Sequence, residues 1–200
     1  MPRVSREQAA LNRKHIVETA ARLYKEHGVG GIGVADLMAE AGVTHGGFYG
    51  HFESKDALAA EACSLSFERS VANWEEIGRR HANSKNAALH EIVGKYLHKS
   101  EHSTLSDICP MPTLAADAMR QEDSSPLRQA FTAGMRRLGD ALIAVMHDGF
   151  SKKKRRERGL ASLALMTGAM MLARSSSDAE FAEELLTAAD AALAQLGSAP

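Results

Sequence analysis

A chain of 200 residues that is 44% hydrophobic but only 5% aromatic can bury a sizeable core, built mainly from Ala, Leu, Met, Ile and Val. Two cysteines exclude a disulfide scaffold. The longest apolar stretch, Leu160 to Ala173, is too short for a bilayer and is broken by Ser, Thr and Gly, and the polar, basic start Met1–Glu7 is no signal peptide, so a cytoplasmic protein with no membrane partner is expected. The net charge of -1 conceals an uneven distribution: between Met1 and Lys25 six basic residues (Arg3, Arg6, Arg13, Lys14, Arg22, Lys25) stand against Glu7 and Glu18.

Along the chain, an arm from Met1 to about Ala10 leads into a helical pattern in which Ile16, Ala20, Leu23 and Tyr24 recur at three- and four-residue spacing and Gly28 stops the run. Val34, Leu37, Met38 and Ala41 form a second short stripe ended by Gly42. Thr44 is placed to cap a third short helix, and Ser54 a fourth that runs to about Arg80. Gly33 stands where a hydroxyl cap is usual, so the second helix starts weakly. Further helices are predicted over Lys85–Ser100, Thr113–Gln121, Pro126–Phe150, Arg156–Ser175 and Asp178–Leu196, the last capped by Ser177. No strand alternation is present, and the predicted class is all-α.

Two short helices separated by Gly42-Val43-Thr44 fit a helix-turn-helix, in which Gly42 takes a positive φ and Val43 plugs the angle. The same spacing suits an ordinary helical hairpin. The stretch Val34–Leu58, with AGVT at Ala41–Thr44, FYGHF at Phe48–Phe52 and SKDAL at Ser54–Leu58 behind a basic first helix, resembles the DNA-binding signature of the TetR/AcrR family of bacterial regulators. The resemblance implies a three-helix DNA-binding domain over residues 1–58 and a larger ligand-binding and dimerisation domain over 59–200. It also implies DNA-contacting roles for Thr44, His45 and Gly46 at the start of the recognition helix, for Tyr49 and His51 (or, for His51, bracing of the domain), and for Lys55 in the next helix. Arg13 and Lys14 add phosphate attraction. Three glycines, Gly46, Gly47 and Gly50, depart from the commonest family form, and each interior glycine costs about 1 kcal/mol of helix propensity relative to alanine.

One recognition helix gives a small footprint; two related by a two-fold axis read a palindrome. Leu160, Leu163, Ala164, Thr167, Gly168 and Met171 on one late helix, with Leu185, Ala189 and Leu193 on the last, have the spacing of a packing face. The resemblance makes them the dimer surface of a homodimer. It further implies a small-molecule effector held in the second domain, for which Trp74, Met119, Phe131, Met135, Leu138, Leu142, Met166 and Met170 are deformable apolar wall candidates; ordinary core is the competing reading.

Cys109-Pro110-Met111-Pro112-Thr113-Leu114-Ala115-Ala116-Asp117 resembles an element of one branch of the family, in which the cysteine lies near the ligand region and in some members senses electrophiles or oxidants. Cys109 and Met111 therefore join the effector candidates, and Cys109 is a candidate redox sensor. The basic run Lys152–Arg158 reads as a solvated connection. Nine histidines form no HExxH unit; His98 and His102 share a helical spacing without a third ligand, and no phosphate loop or nucleophile elbow is present. No metal, cofactor or enzymatic activity is expected. The function implied is a ligand-responsive repressor on double-stranded operator DNA, released by a small apolar or amphipathic effector. The alternatives are an activator or thiol sensor of the same fold, and an architectural DNA binder.

Overall fold

The computed structural model describes residues 5–97 and 104–197. They form eight α-helices and two short 3-10 segments, with no strand among the described residues. The all-α class is the expected one. Helix α1 spans Arg6–His27, α2 Val34–Glu40, α3 Lys55–Arg80, α4 Lys85–Leu97, α5 Pro110–Met119, α6 Pro126–Ala144, α7 Lys152–Ser175 and α8 Ala179–Gly197. The 3-10 segments are His45–Gly50 and Leu105–Asp107.

Local chemistry explains where these elements differ from the sequence expectations. Ser5 caps α1 by accepting the Gln8 N–H at 3.1 Å, so the helix starts at Arg6 and takes in residues 6–10 of the expected arm; Arg3 lies outside the described residues. The third helix is a six-residue 3-10 segment, and the Thr44 side chain makes no capping bond. Its main-chain carbonyl does the work instead, accepting the Gly47 N–H at 3.0 Å. Three glycines in six residues leave too little helix propensity to hold α geometry.

Helix α5 begins at Pro110 rather than Thr113, because proline suits the first turn and Cys109 takes the N-cap position. Helix α6 stops at Ala144, where Val145 and Met146 close tighter i→i-3 bonds to Leu142 and Ile143. The basic run is not a connection: Ser151 accepts the Lys154 N–H at 3.2 Å, and Lys152 opens α7. For α8 the cap is Asp178, whose Oδ1 accepts the Phe181 N–H at 3.1 Å, and not Ser177. The predicted tail of α4, up to Ser100, falls partly outside the described residues.

The described residues cluster into two compact units, each discontinuous in the chain: Met1–Phe67 with Thr104–Gly134, and Glu68–Ser103 with Met135–Pro200. In the first, α1 packs on α2, α5 and the Leu105–Asp107 segment, and Phe67 meets Phe131 edge-on at 5.3 Å. In the second, α7 packs on α8, and α4 packs on both. None of the helices is long and apolar enough to cross a membrane among the described residues.

Candidate nucleic-acid interface

The helix-turn-helix is built by two glycines in the left-handed region. Gly28, at φ 73°, ends α1 with its N–H on the Tyr24 carbonyl at 2.9 Å. Gly42, at φ 67°, ends α2: its N–H donates to Ala39 O at 2.9 Å, and the Val43 N–H donates to Met38 O at 3.0 Å. That pair of bonds is a Schellman closure, and it turns the chain into the recognition segment. Val43 is half-buried, as a plug between the two short helices should be.

Within His45–Gly50 the inward and outward roles separate cleanly. Phe48 is buried, stacks with Phe52 at 5.7 Å and anchors the segment on the core. Thr44, His45 and Gly46 are exposed; Tyr49, 73% exposed, stands edge-on to Phe48 at 5.2 Å. An exposed tyrosine held at a fixed angle by a buried phenylalanine offers a hydroxyl to a partner at little entropic cost. His51 is half-buried, its ring centre 6.3 Å from that of Phe52.

Two basic candidates are engaged within the fold. Arg13 pairs with Glu61 at 2.5 Å, and its guanidinium lies 4.7 Å from the centre of the Phe52 ring. Lys55 donates from Nζ to the Ile32 carbonyl at 2.6 Å, tying the start of α3 to the loop before α2. Lys14 is exposed. Arg22 bridges α1 to α2 through Glu40 at 2.6 Å.

Sequence reasoning missed what holds α1 from the other side of the first unit. Lys25 Nζ donates to the carbonyls of Ser106 and, at 3.2 Å, Ile108. Asp117 of α5 accepts the Val29 N–H at 3.1 Å. Ile108, just before the Cys109–Asp117 element, and Asp117 at its end are thus bonded to Lys25 of α1 and to the turn that follows it. The sequence shows Lys25 only as one of six basic residues in the first segment, and Asp117 only as the acidic end of that motif. Cys109 is half-buried at the α5 N-cap, whereas burial pushes the Cys63 thiol up to about 12.

The effector candidates divide between the units. Met111 and Phe131 are buried in the first, which also holds the half-buried Cys109, while Met119 is 72% exposed and makes no interior wall. Leu138, Leu142, Met166 and Met170 are buried in the second, with Met135 half-buried. Trp74 alone of the set lines a groove of about 730 Å³ between α3, α4 and α6 of the second unit.

The dimerisation candidates divide too. Leu160 and Ala164 are exposed, and Thr167, Gly168, Met171 and Leu185 are half-buried; Leu163, Ala189 and Leu193 are buried within the chain's own core. Leu172 and Phe181, both more than half exposed, extend the apolar face. Phe181 was hidden from sequence reasoning by its position in the acidic first turn of α8. Among the described residues no group of three His, Cys, Asp or Glu side chains is placed to hold a metal ion, and His98 and His102 lie outside them.

Residues 16–62 match the model of the bacterial regulatory proteins of the tetR family. Residues 86–191 match that of the LmrA/YxaF-like transcriptional regulator C-terminal domain. The chain is 36% identical over 66 residues to the HTH-type transcriptional regulator AcrR of Shigella flexneri, a match covering 33% of this chain and 31% of AcrR. It is 43% identical over 55 residues to the HTH-type transcriptional repressor DhaR of a Mycobacterium species, covering 28% of each. These alignments span less than a third of either relative. The crystal structure of the reduced form of E. coli NemR superposes with a TM-score of 0.80, at 23% identity, over 94% of this chain and 98% of NemR, which establishes the fold.

Proposed function

Because the chain belongs to the TetR/AcrR family of bacterial transcriptional regulators, we propose that it binds a palindromic operator as a homodimer and represses by occluding it. The observation that carries this reading is the recognition segment, anchored by Phe48 and presenting Thr44, His45, Gly46 and Tyr49 outward. Simple occlusion needs no polymerase-contacting surface, which favours repression over activation. The dimer face consists of Leu160, Ala164, Gly168, Met171 and Leu172 on α7 with Phe181 and Leu185 on α8, exposed or half-buried residues of the last two helices. A Cβ at Gly168 would meet nothing within 4 Å in a single chain. Gly168→Arg should therefore fold and fail to dimerise, as read by sedimentation.

Genome-wide binding of the purified protein at physiological salt tests the operator reading. One or a few palindromic sites, preferred by about 10³ or more over bulk DNA, support it. Salt-sensitive binding without preference would reassign the protein to an architectural role.

For the signal that releases DNA, a specific observation favours the Cys109 thiol over a purely non-covalent effector. Cys109 is half-buried at the N-cap of α5; its neighbour Ile108 accepts from Lys25 of α1, and Asp117, farther along α5, accepts from Val29 in the turn after α1. Addition of the thiolate to the β-carbon of an unsaturated carbonyl forms an S–C bond; the displaced π electrons give an enolate that takes a proton from water. The bulk added at the N-cap would strain the bonds that hold the end of α1. Exposure to N-ethylmaleimide should weaken operator binding in the native protein and leave Cys109→Ser unaffected. Equal loss in both would return the release to a non-covalent apolar or amphipathic effector.

A further inference from the structure

The groove of the second unit and the basic run at the start of α7 are both unused by the reading above, and the structure joins them. The groove floor is apolar and low, formed by Val71, Trp74, Gly78, Ala141 and Val145. A Cβ at position 78 would stand 3.3 Å from Val145 Cγ1, so the glycine keeps the floor flat beside the indole. Its volume of about 730 Å³ is that of a small-molecule site. Arg79, Lys85 and Arg137 stand at the rim with Glu75 and Asp140.

Of the carboxylates near this rim, Glu76 pairs with Arg79 at 2.5 Å and Glu68 with Arg137 at 3.8 Å, while two others are shared among several cations. Asp148 is divided between Lys85 at 2.6 Å and Arg155 at 2.8 Å. Glu91 carries Arg80, His81 and Lys95, all within 2.7 Å. Asp140 on the rim is approached by Arg156 at 3.5 Å. Through Arg155 and Arg156 the first turns of α7 are therefore fixed beside the groove. Across residues 68–97 and 135–158 there are thirteen Lys and Arg against seven Asp and Glu. Six of those cations fall in the seven residues Lys152–Arg158, at a helix N-terminus whose dipole favours negative charge instead. An apolar slot set in such a positive field complements one kind of occupant.

We infer that this groove binds a small amphipathic anion, with a flat apolar body against Trp74 and a carboxylate or similar head toward Lys85 and Arg137. This names a second, non-covalent effector class for the regulator, beside the Cys109 thiol, and rests on the operator reading above for its consequence, though not for the binding itself.

Trp74 is the chain's single tryptophan, so incorporation of 5-fluorotryptophan places one fluorine reporter at the groove of the full-length protein. Titration with 2-naphthoate should shift that resonance saturably. Its neutral isostere 2-naphthamide should bind at least about tenfold more weakly. Lys85→Gln with Arg137→Gln should weaken naphthoate about tenfold and leave the amide unchanged, with the helical circular-dichroism spectrum retained. Ala141→Leu should exclude both ligands. No shift, equal affinity for the two ligands, or a preference that survives loss of both cations would overturn the site. Operator affinity is measured separately: naphthoate that saturates Trp74 without changing it supports the site and overturns the effector role.

Discussion

Replacing Lys55 with methionine asks whether its ammonium serves the fold or the phosphate backbone of DNA. From a half-buried position at the start of α3, Nζ donates to the Ile32 carbonyl at 2.6 Å. A hydrogen bond from a charged group contributes about 1.5–3 kcal/mol. Methionine keeps most of the apolar stem, so the loss should fall in that range. In a chain of this size each kcal/mol moves Tm by about 2–4 °C, which gives a fall of roughly 3–12 °C. A cation that neutralises a phosphate would instead contribute about 0.9 to the slope of log K against log salt. Thermal unfolding and operator anisotropy between about 50 and 200 mM salt read the two quantities separately. Lys14→Met, at an exposed position on α1, is the comparator. Lys55→Met should lower Tm and leave the slope alone; Lys14→Met, lost from both protomers of the dimer, should reduce the slope by about 1.8 and leave Tm alone. An unchanged Tm with a slope loss of that size for Lys55→Met would refute the assignment of its ammonium to the fold.

Three further outcomes are expected. At Gly134 a Cβ would fall 2.3 Å from two ring carbons of Phe67 and 2.8 Å from its Cβ, which ring rotation alone cannot relieve. Overpacking of about 1–3 kcal/mol should exceed the roughly 1 kcal/mol of helix propensity gained, so Gly134→Ala should lower the urea midpoint with m unchanged; a raised midpoint would contradict the packing. With its thiol at about 12, Cys63 keeps about one thiolate in 10⁵ at pH 7, so mass spectrometry should find maleimide on Cys109 in the native protein and on Cys63 only after unfolding. The Glu91 carboxyl is held down to about 2 by Lys95, His81 and Arg80. A depressed carboxyl stabilises above its unfolded value and loses that contribution as pH falls through the folded one. The Tm difference between wild type and Glu91→Gln should therefore be constant above about pH 4.5 and shrink toward pH 2, whereas a difference that grows on acidification would reverse the assignment.

What the sequence made legible was local. Gly28 and Gly42 announced helix ends because positive φ is a property of one residue and its neighbours, and Ser54 announced α3 because a cap reaches only three residues on, here to the Ala57 N–H. The recognition segment was located by its motif, but its 3-10 geometry was not foreseen, because a propensity deficit does not say which alternative helix wins. The start of α7 was set four residues late, since six cations beside one another read as solvated chain until Ser151 is seen to cap them. The bonds from Lys25 to Ser106 and Ile108, and from Asp117 to Val29, join residues more than eighty apart. Nothing in spacing reports such pairs, and the groove beside Trp74 is likewise made of three helices brought together only by folding.

The tie between Asp117 and the turn after α1 joins a side chain at one end to main chain at the other. Selection on it is therefore one-sided. Position 29 can drift among all residues that keep an N–H, position 28 is held by its backbone angle, and position 117 is held by its carboxylate. Among descendants of this chain, no substitution at 29 would call for an answering one at 117. The contact would leave no trace of paired substitution in a lineage, and methods that infer proximity from correlated change would pass over it.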